Sequence, residues 1–423
     1  MKASVNFALL LCAAPLVCFP QNLSMRTMAG NGTAGATNGF GSNARFSHPA
    51  GLAADGSGNI FVADTENSTV RKITTNGFAS TFAGQPGATG SGDGASNVAR
   101  FNGPQGVAVD DLGQVYVADS ANATIRKLNS AGSASTLAGA PGTFNSFDGT
   151  NAGAQFYHPE AVAVDAGRNV YVCDTWNHTI RKITPAGVVT TLAGSAGNFG
   201  ATDGTNSKAR FNRPAGIAVD SATNLYVADS LNHTIRKITP TGSVSTIAGL
   251  AGVWGSADGT NSAARFYLPE ALDVAPGGGV LVADSGNQLI RRISLSGTNW
   301  VVSTVLGYNG LAGKTNGTGT NALLAFPQSL AVDDAGNVYV ADLGNNEVRT
   351  TRVIAPTLQV ARAASQLLVS WPTSSEGFVL EQSPVLGTGA IWSPVAGGIF
   401  TSGDNFVRTN AVVGNAFYRL RFP

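Results

Sequence analysis

Six times along the chain a proline opens an apolar run, and the residue after it differs: Ala50, Gln105, Glu160, Ala215, Glu270 and Gln328. Two carboxylates and two carboxamides presented around one opening suit a hard cation such as Ca, or the hydroxyls of a sugar. Histidines flank these positions. His48 and His158 stand immediately before the proline, and His178 and His233 lie in turns farther along. Imidazole beside carboxylate is a zinc donor set, so Glu160, Glu270, His48 and His158 are the candidate metal ligands. The sequence demands no cofactor; Ca or Zn are the two it could accommodate there. Trp176 and Trp254 fall in nearby loops and could stack on a glycan or a peptide. Gln105, Glu160, Glu270, Gln328, Trp176 and Trp254 are therefore the candidate ligand-binding residues.

A second set of charged residues does not vary. Asp64 and Arg71, Asp119 and Arg126, Asp174 and Arg181, Asp229 and Arg236, Asp284 and Arg291, and Asp342 and Arg349 are each seven apart. That spacing joins the end of one strand to the next strand of a hairpin, where a charge-assisted contact would fix the turn. A pair used identically six times is read as structural. No Gly-x-Ser-x-Gly elbow, phosphate loop, His-Glu-x-x-His or Cys-x-x-Cys occurs, so no catalytic residue is assigned.

The elements that must position these residues are legible from repetition. A Val-Ala-Asp triplet, once Val-Cys-Asp, ends at Asp64, Asp119, Asp174, Asp229, Asp284 and Asp342, at intervals of 55 residues and finally 58. The fourth copy reads Pro214 to Asp220, Asn224 to Asp229, Thr234 to Ile238 and Val244 to Gly249. These are four short strands, a to d, divided by Asp, Asn, Pro and Gly turn chemistry. Such a unit cannot bury both faces alone, whereas six packed radially as propeller blades can. The last copy stops after its third strand, and Arg26 to Gly30 aligns with strand d of the other copies. The first segment is therefore expected to complete the sixth blade and close the ring, leaving no open edge. Between d and the next a runs a Gly-rich loop ending in Phe46, Phe101, Phe156, Phe211 or Phe266, with Leu324 in the sixth copy; this side chain is expected to anchor the loop between blades. All long loops and the b-to-c turns then share one face, the expected binding face.

Asn177-His178-Thr-Ile-Arg-Lys-Ile183, Asn232-His233-Thr-Ile-Arg-Lys-Ile238 and the Gly-Ile/Val-Ala-Val-Asp runs resemble the NHL-repeat family over residues 25 to 354. The resemblance implies a six-bladed β-propeller of four-stranded antiparallel blades. Such propellers occur in secreted bacterial proteins, in teneurins and in peptide-amidating lyases, so it implies a fold and a surface, not one reaction. The function expected is a binding or scaffold module for a protein, peptide or glycan partner. The alternative is a metal-dependent lyase or lactonase at the channel mouth.

Composition fits this all-β class. Gly contributes 53 residues and charged residues 12%. With 26 basic and 25 acidic residues, and no basic stripe, neither nucleic acid nor anionic lipid is expected as a partner. Residues 1–22 carry Lys2 and a short apolar core from Phe7 to Val17, read as a signal peptide and too short to span a bilayer. A secreted or cell-envelope monomer without a membrane span is expected. Cys12 and Cys18 fall in that leader, which leaves Cys173 without a disulfide partner, as a small buried strand residue. The Asn-x-Thr turns at Asn67, Asn122, Asn177 and Asn232 would be glycan acceptors in a eukaryotic secretory pathway and turn residues only in a bacterium. The propeller is assigned to residues 23–355. From 356 to 423 the period disappears, and about five strands, read as Leu367 to Trp371, Gly377 to Glu381, Trp392 to Val395, Asn405 to Arg408 and Ala416 to Arg421, predict a small β-sandwich.

Overall fold

A computed structural model describes residues 23–352 and, beyond them, 359–363, 366–372, 379–383, 391–395, 399–402, 405–411 and 417–421. The expected leader with Cys12 and Cys18, and the boundary at 355 and 356, lie outside the described residues. Among the described residues there is no α-helix, and no helix long and apolar enough to cross a membrane.

Six antiparallel sheets form the propeller. In blade three, strands Pro159–Val164, Val170–Asp174, Thr179–Ile183 and Val188–Gly194 run from the channel outward. Strand b is buried along its whole length in every blade, because neighbouring blades cover both faces; a continuous Val-Tyr-Val-Cys-Asp run is what that position demands. Between blades three and four, for example, Tyr171 and Cys173 pack on Ile217, Leu225 and Val227. Cys173 is fully buried and free, as its place in an alanine slot predicts.

In five blades the sheet has a fifth strand of two residues, such as Gly149–Thr150 on Val189 and Val188. The incoming long loop thus touches the outside of its blade before running in to strand a. So short a pairing has no periodicity to read from sequence. Phe46, Phe101, Phe156, Phe211 and Phe266 are fully buried behind this loop, as is Leu324. Phe101 packs on Ala63 and Val70 of blade one and on Val107 and Val117 of blade two, the anchoring expected of it.

The ring closes as the alignment predicts. Ser24–Ala29 lies beside Glu347–Thr350, with Arg26 opposite Thr350 and Ala29 opposite Val348. The Thr27 hydroxyl donates to Glu347 at 2.9 Å. Leu23 and Met25 pack toward blade five, and Met28 and Ala29 toward blade one.

The C-terminal residues form two small antiparallel sheets. One orders Gln359–Ala363, Gln366–Pro372, Asn405–Ala411 and Ile399–Ser402; the other orders Ser393–Pro394, Val379–Ser383 and Phe417–Arg421. Val369 and Leu380, one from each sheet, share a small core with Val395, the two-layer packing of the expected β-sandwich, built from seven strands where about five were read. The strands missed, Gln359–Ala363 and Ile399–Ser402, are short and lack apolar alternation.

Candidate functional site

The six channel-mouth residues owe their direction to a β-bulge. In blade three, Pro159 pairs with Asp174 but Ala161 with Cys173, so Glu160 is the extra residue; the same shift recurs in every blade. A bulge re-aims a side chain out of the ladder. Ala50, Gln105, Glu160, Ala215, Glu270 and Gln328 therefore line one cavity of ≈250 Å³, walled by strand a of all six blades.

Behind the mouth, each invariant Asp gathers three chain segments. Asp174 accepts from the Tyr157 backbone N–H at 2.7 Å, from Asn177 Nδ2 at 2.8 Å and from Arg181 Nη1 at 2.7 Å. Arg181 continues to the Phe147 carbonyl and to Asp148, and its guanidinium lies over Phe156 at 5.1 Å. The other pairs repeat this contact: Asp64 with Arg71, Asp119 with Arg126, Asp229 with Arg236, Asp284 with Arg291 and Asp342 with Arg349, all between 2.7 and 2.9 Å. The network fixes the long loop to its blade and so holds the rim of the face in place. It also engages the asparagines of the Asn-x-Thr turns. Asn67, Asn122, Asn177 and Asn232 spend their Nδ2 groups on the Asp and on a loop carbonyl, and Asn122, Asn177 and Asn232 are buried. They serve here as turn residues.

At the mouth, blades three to five differ from the rest. Burial, joined by the Glu270 charge, pushes Glu160 up to about 8, against the opposing field of Arg213 and polar contacts with Trp176 and Thr175. Burial also raises Glu270, which accepts from Ser230 Oγ at 3.0 Å and from Gln328 Nε2 at 3.5 Å. The Arg213 guanidinium stacks on Trp176 at 4.0 Å. His158 lies among Phe144, Tyr157 and Trp176 with ring centroids 5.2–5.5 Å away, and burial lowers its pKa. Trp254 packs on Tyr267 at 5.1 Å.

The structure thus groups Glu160 with Trp176, and Glu270 with Gln328. Gln105 lines the same cavity on blade two. It does not assemble the candidate metal group. His48 sits on blade one with Nδ1 2.7 Å from Glu66, and His158 is enclosed by aromatic rings. Among the described residues no three His, Cys, Asp or Glu side chains are close enough to hold a metal ion.

Sequence reasoning passed over several residues here. Asp273 stands where the other blades carry Ala53, Ala108, Ala163, Ala218 and Ala331; it lines the cavity and accepts from the Val332 and Val274 amides at 2.8 Å each. Its burial pushes it up to about 6. Twelve residues before the loop anchors stand Ala34, Thr89, Phe144, Phe199, Trp254 and Ala312; the pairing of Thr89, Phe144 and Ala312 with their anchors shows this equivalence. Aromatics fill the slot only in the loops entering blades three, four and five, where Phe144, Phe199 and Trp254 are 45%, 68% and 66% exposed. Aligning the six copies column by column would have exposed both departures.

The NHL repeat model matches residues 46–73, 101–128, 156–183, 211–238 and 324–350. The fifth blade, with Asp273 and the Gly277-Gly-Gly279 turn, is not among the matches yet folds like the others. Protein SUPPRESSOR OF QUENCHING 1, chloroplastic, of Arabidopsis thaliana is 29% identical over 63% of this chain and 27% of its own length. NHL repeat-containing protein 2 of Homo sapiens is 31% identical over 38% of this chain and 24% of its own. The chain therefore spans about a quarter of the length of these relatives. An auxiliary nutrient binding protein from Bacteroides ovatus superposes with a TM-score of 0.58 at 15% identity, over 78% of this chain and 76% of that one, which is a likeness of fold.

Proposed function

We propose, from the premise that this chain is an NHL-repeat β-propeller with a C-terminal β domain, that it is an exported recognition module. Its partner, a peptide, protein or glycan, lies on the long-loop face over blades three to five. One observation carries this reading: the aromatic departures from the repeat coincide in space with the polar ones. Phe144 rests on His158, Phe199 on His178 and Trp254 on Tyr267, all on the turns and loop ends of blades three to five, and Trp176, stacked with Arg213, reaches Glu160. A ring needs none of these for its own closure, since three blades do without them. Exposed aromatics beside a few half-buried polar groups are the usual make-up of a recognition site. The leader-like residues 1–22 support export.

The test is a peptide and glycan array probed with the full chain, repeated with Trp176→Ala and Trp254→Ala. The expected result is a small set of hits weakened in both variants. Hits indifferent to both, or abolished only by deleting residues 357–423, would move recognition to the C-terminal domain.

A further inference from the structure

Two sets of carboxylates on the inner strands of this ring differ in burial and in partner. The six invariant aspartates each face a guanidinium within 2.9 Å. Glu160, Glu270 and Asp273 line the channel and form no salt bridge with a described residue. Arg213 acts on Glu160 through its field, yet it is stacked on Trp176 and not paired with the carboxylate. These three are half-buried, and holding acidic groups partly out of water without a paired countercharge carries a cost that falls when a cation is supplied from outside.

We propose that the channel mouth on blades three to five takes an aliphatic primary ammonium, of the lysine side-chain type, between Glu160 and Glu270. The proposal rests on the binding role of the same face. Four features fit that group. The cavity is small, ≈250 Å³, and suits a slender group more than a wide one. Below the mouth the walls are mostly Ala, Val, Leu and Ile, which suit a methylene stem. A buried acceptor is also free. The Ser120 hydroxyl, 2% exposed, has no partner, and it occupies on blade two the place from which Ser230 on blade four reaches Glu270; the corresponding neighbour on blade three is Glu160. Finally, Trp176 and Phe144 offer apolar faces beside the mouth for the rest of a peptide. Burial holds Glu160 and Glu270 above the usual carboxylate range, joined at Glu160 by the Glu270 charge, a state that an inserted ammonium would relieve.

Calorimetric titration of the full chain with Nα-acetyl-lysine amide tests this, with the norleucine counterpart, glucosamine and glucose as further probes. Lysine amide should bind, norleucine amide at least about tenfold more weakly, and the Glu160→Gln/Glu270→Gln double variant should lose about tenfold for lysine only. Glu66→Gln, at the blade-one turn, should leave binding unchanged. Equal binding of norleucine, no effect of the double variant, or binding of glucosamine in place of lysine would each overturn the proposal. If array hits still depend on Trp176 and Trp254 while no ammonium binds, the ammonium assignment alone fails; if neither is found, both readings fall.

Discussion

The backbone N–H of Arg213 donates to Nδ1 of His178 across the seam between the third and fourth blades, at 3.1 Å. Both residues are left-handed, at φ 51° and 57°. The same latch recurs where His233 accepts from the Leu268 amide at 3.3 Å and where Asn346 accepts from the His48 amide at 2.9 Å. In each of these blades one turn residue thereby holds the start of the next blade's strand a, close to the mouth. An imidazole can do this only with Nδ1 unprotonated.

Acid should therefore loosen these seams. Burial lowers the pKa of His178 and His233, helped at His178 by the Arg213 charge, so the folded chain takes up these protons less readily than the unfolded one. Their contribution is complete above the unfolded histidine range near ~6.5 and declines as the pH falls through and below it. Each latch is worth about 0.5–1.5 kcal/mol. His178→Asn/His233→Asn keeps an acceptor in a residue tolerant of positive φ. Melting curves from about pH 8 to about pH 5 should show the double variant declining less steeply than the parent. Parallel declines would mean that the imidazoles do not carry the effect.

The loop anchor gives a second expectation. Phe156 is fully buried under Arg181, and blade six uses Leu324 in the same place. Phe156→Ala should cost about 3–5 kcal/mol in urea unfolding, through the cavity it leaves. Phe156→Leu should cost about 1.5 kcal/mol or less, because that side chain already fills the corresponding gap. Equal losses would show that aromatic stacking on Arg181, not filling of the gap, is what the position supplies.

These cases show where sequence reasoning reached and where it stopped. Blade number, strand order, the closing segment and the Phe anchors were legible because repetition samples one physical problem six times. The direction of Glu160 was placed near the mouth, but the bulge that sends it there was not visible, since a register shift leaves no mark in an apolar run. The latches were missed for a different reason. His178 and Asn346 differ in type, so a column that looks tolerant conceals one shared function, accepting a hydrogen bond. Asp273 was overlooked because attention stayed on the residue after each proline, three places earlier in the strand.

Closure by the first segment predicts what its loss does. Leu23, Met25 and Met28 are buried against blades five, six and one, and each such side chain is worth about 1.5–3 kcal/mol. A chain lacking residues 23–29 would also expose the edge of Glu347–Thr350. It should unfold at a lower temperature and self-associate in size-exclusion chromatography. A peptide of residues 23–30 added in trans should reverse part of both effects. An unchanged melting temperature would mean that blade six is stable without its outer strand.

The last expectation concerns the mouth itself, where Trp176 reports on Glu160. Burial first, and then the Glu270 charge, raise Glu160 to about 8, so its carboxyl stays protonated at neutral pH in the folded chain. Because the folded value lies above the unfolded one, the associated stability is fully present below the ordinary Glu range near ~4.3 and is lost as the pH rises through about 8. Ionisation there places a charge against the Trp176 indole and draws on the Arg213 guanidinium stacked upon it. Fluorescence should accordingly change with a midpoint near 8, and the difference spectrum between parent and Glu160→Gln should isolate Trp176 from the other tryptophans. A step that persists in Glu160→Gln must come from another group. A flat profile would mean that water reaches the carboxyl and keeps it ionised, in which case the mouth already carries its negative charge before any ligand arrives.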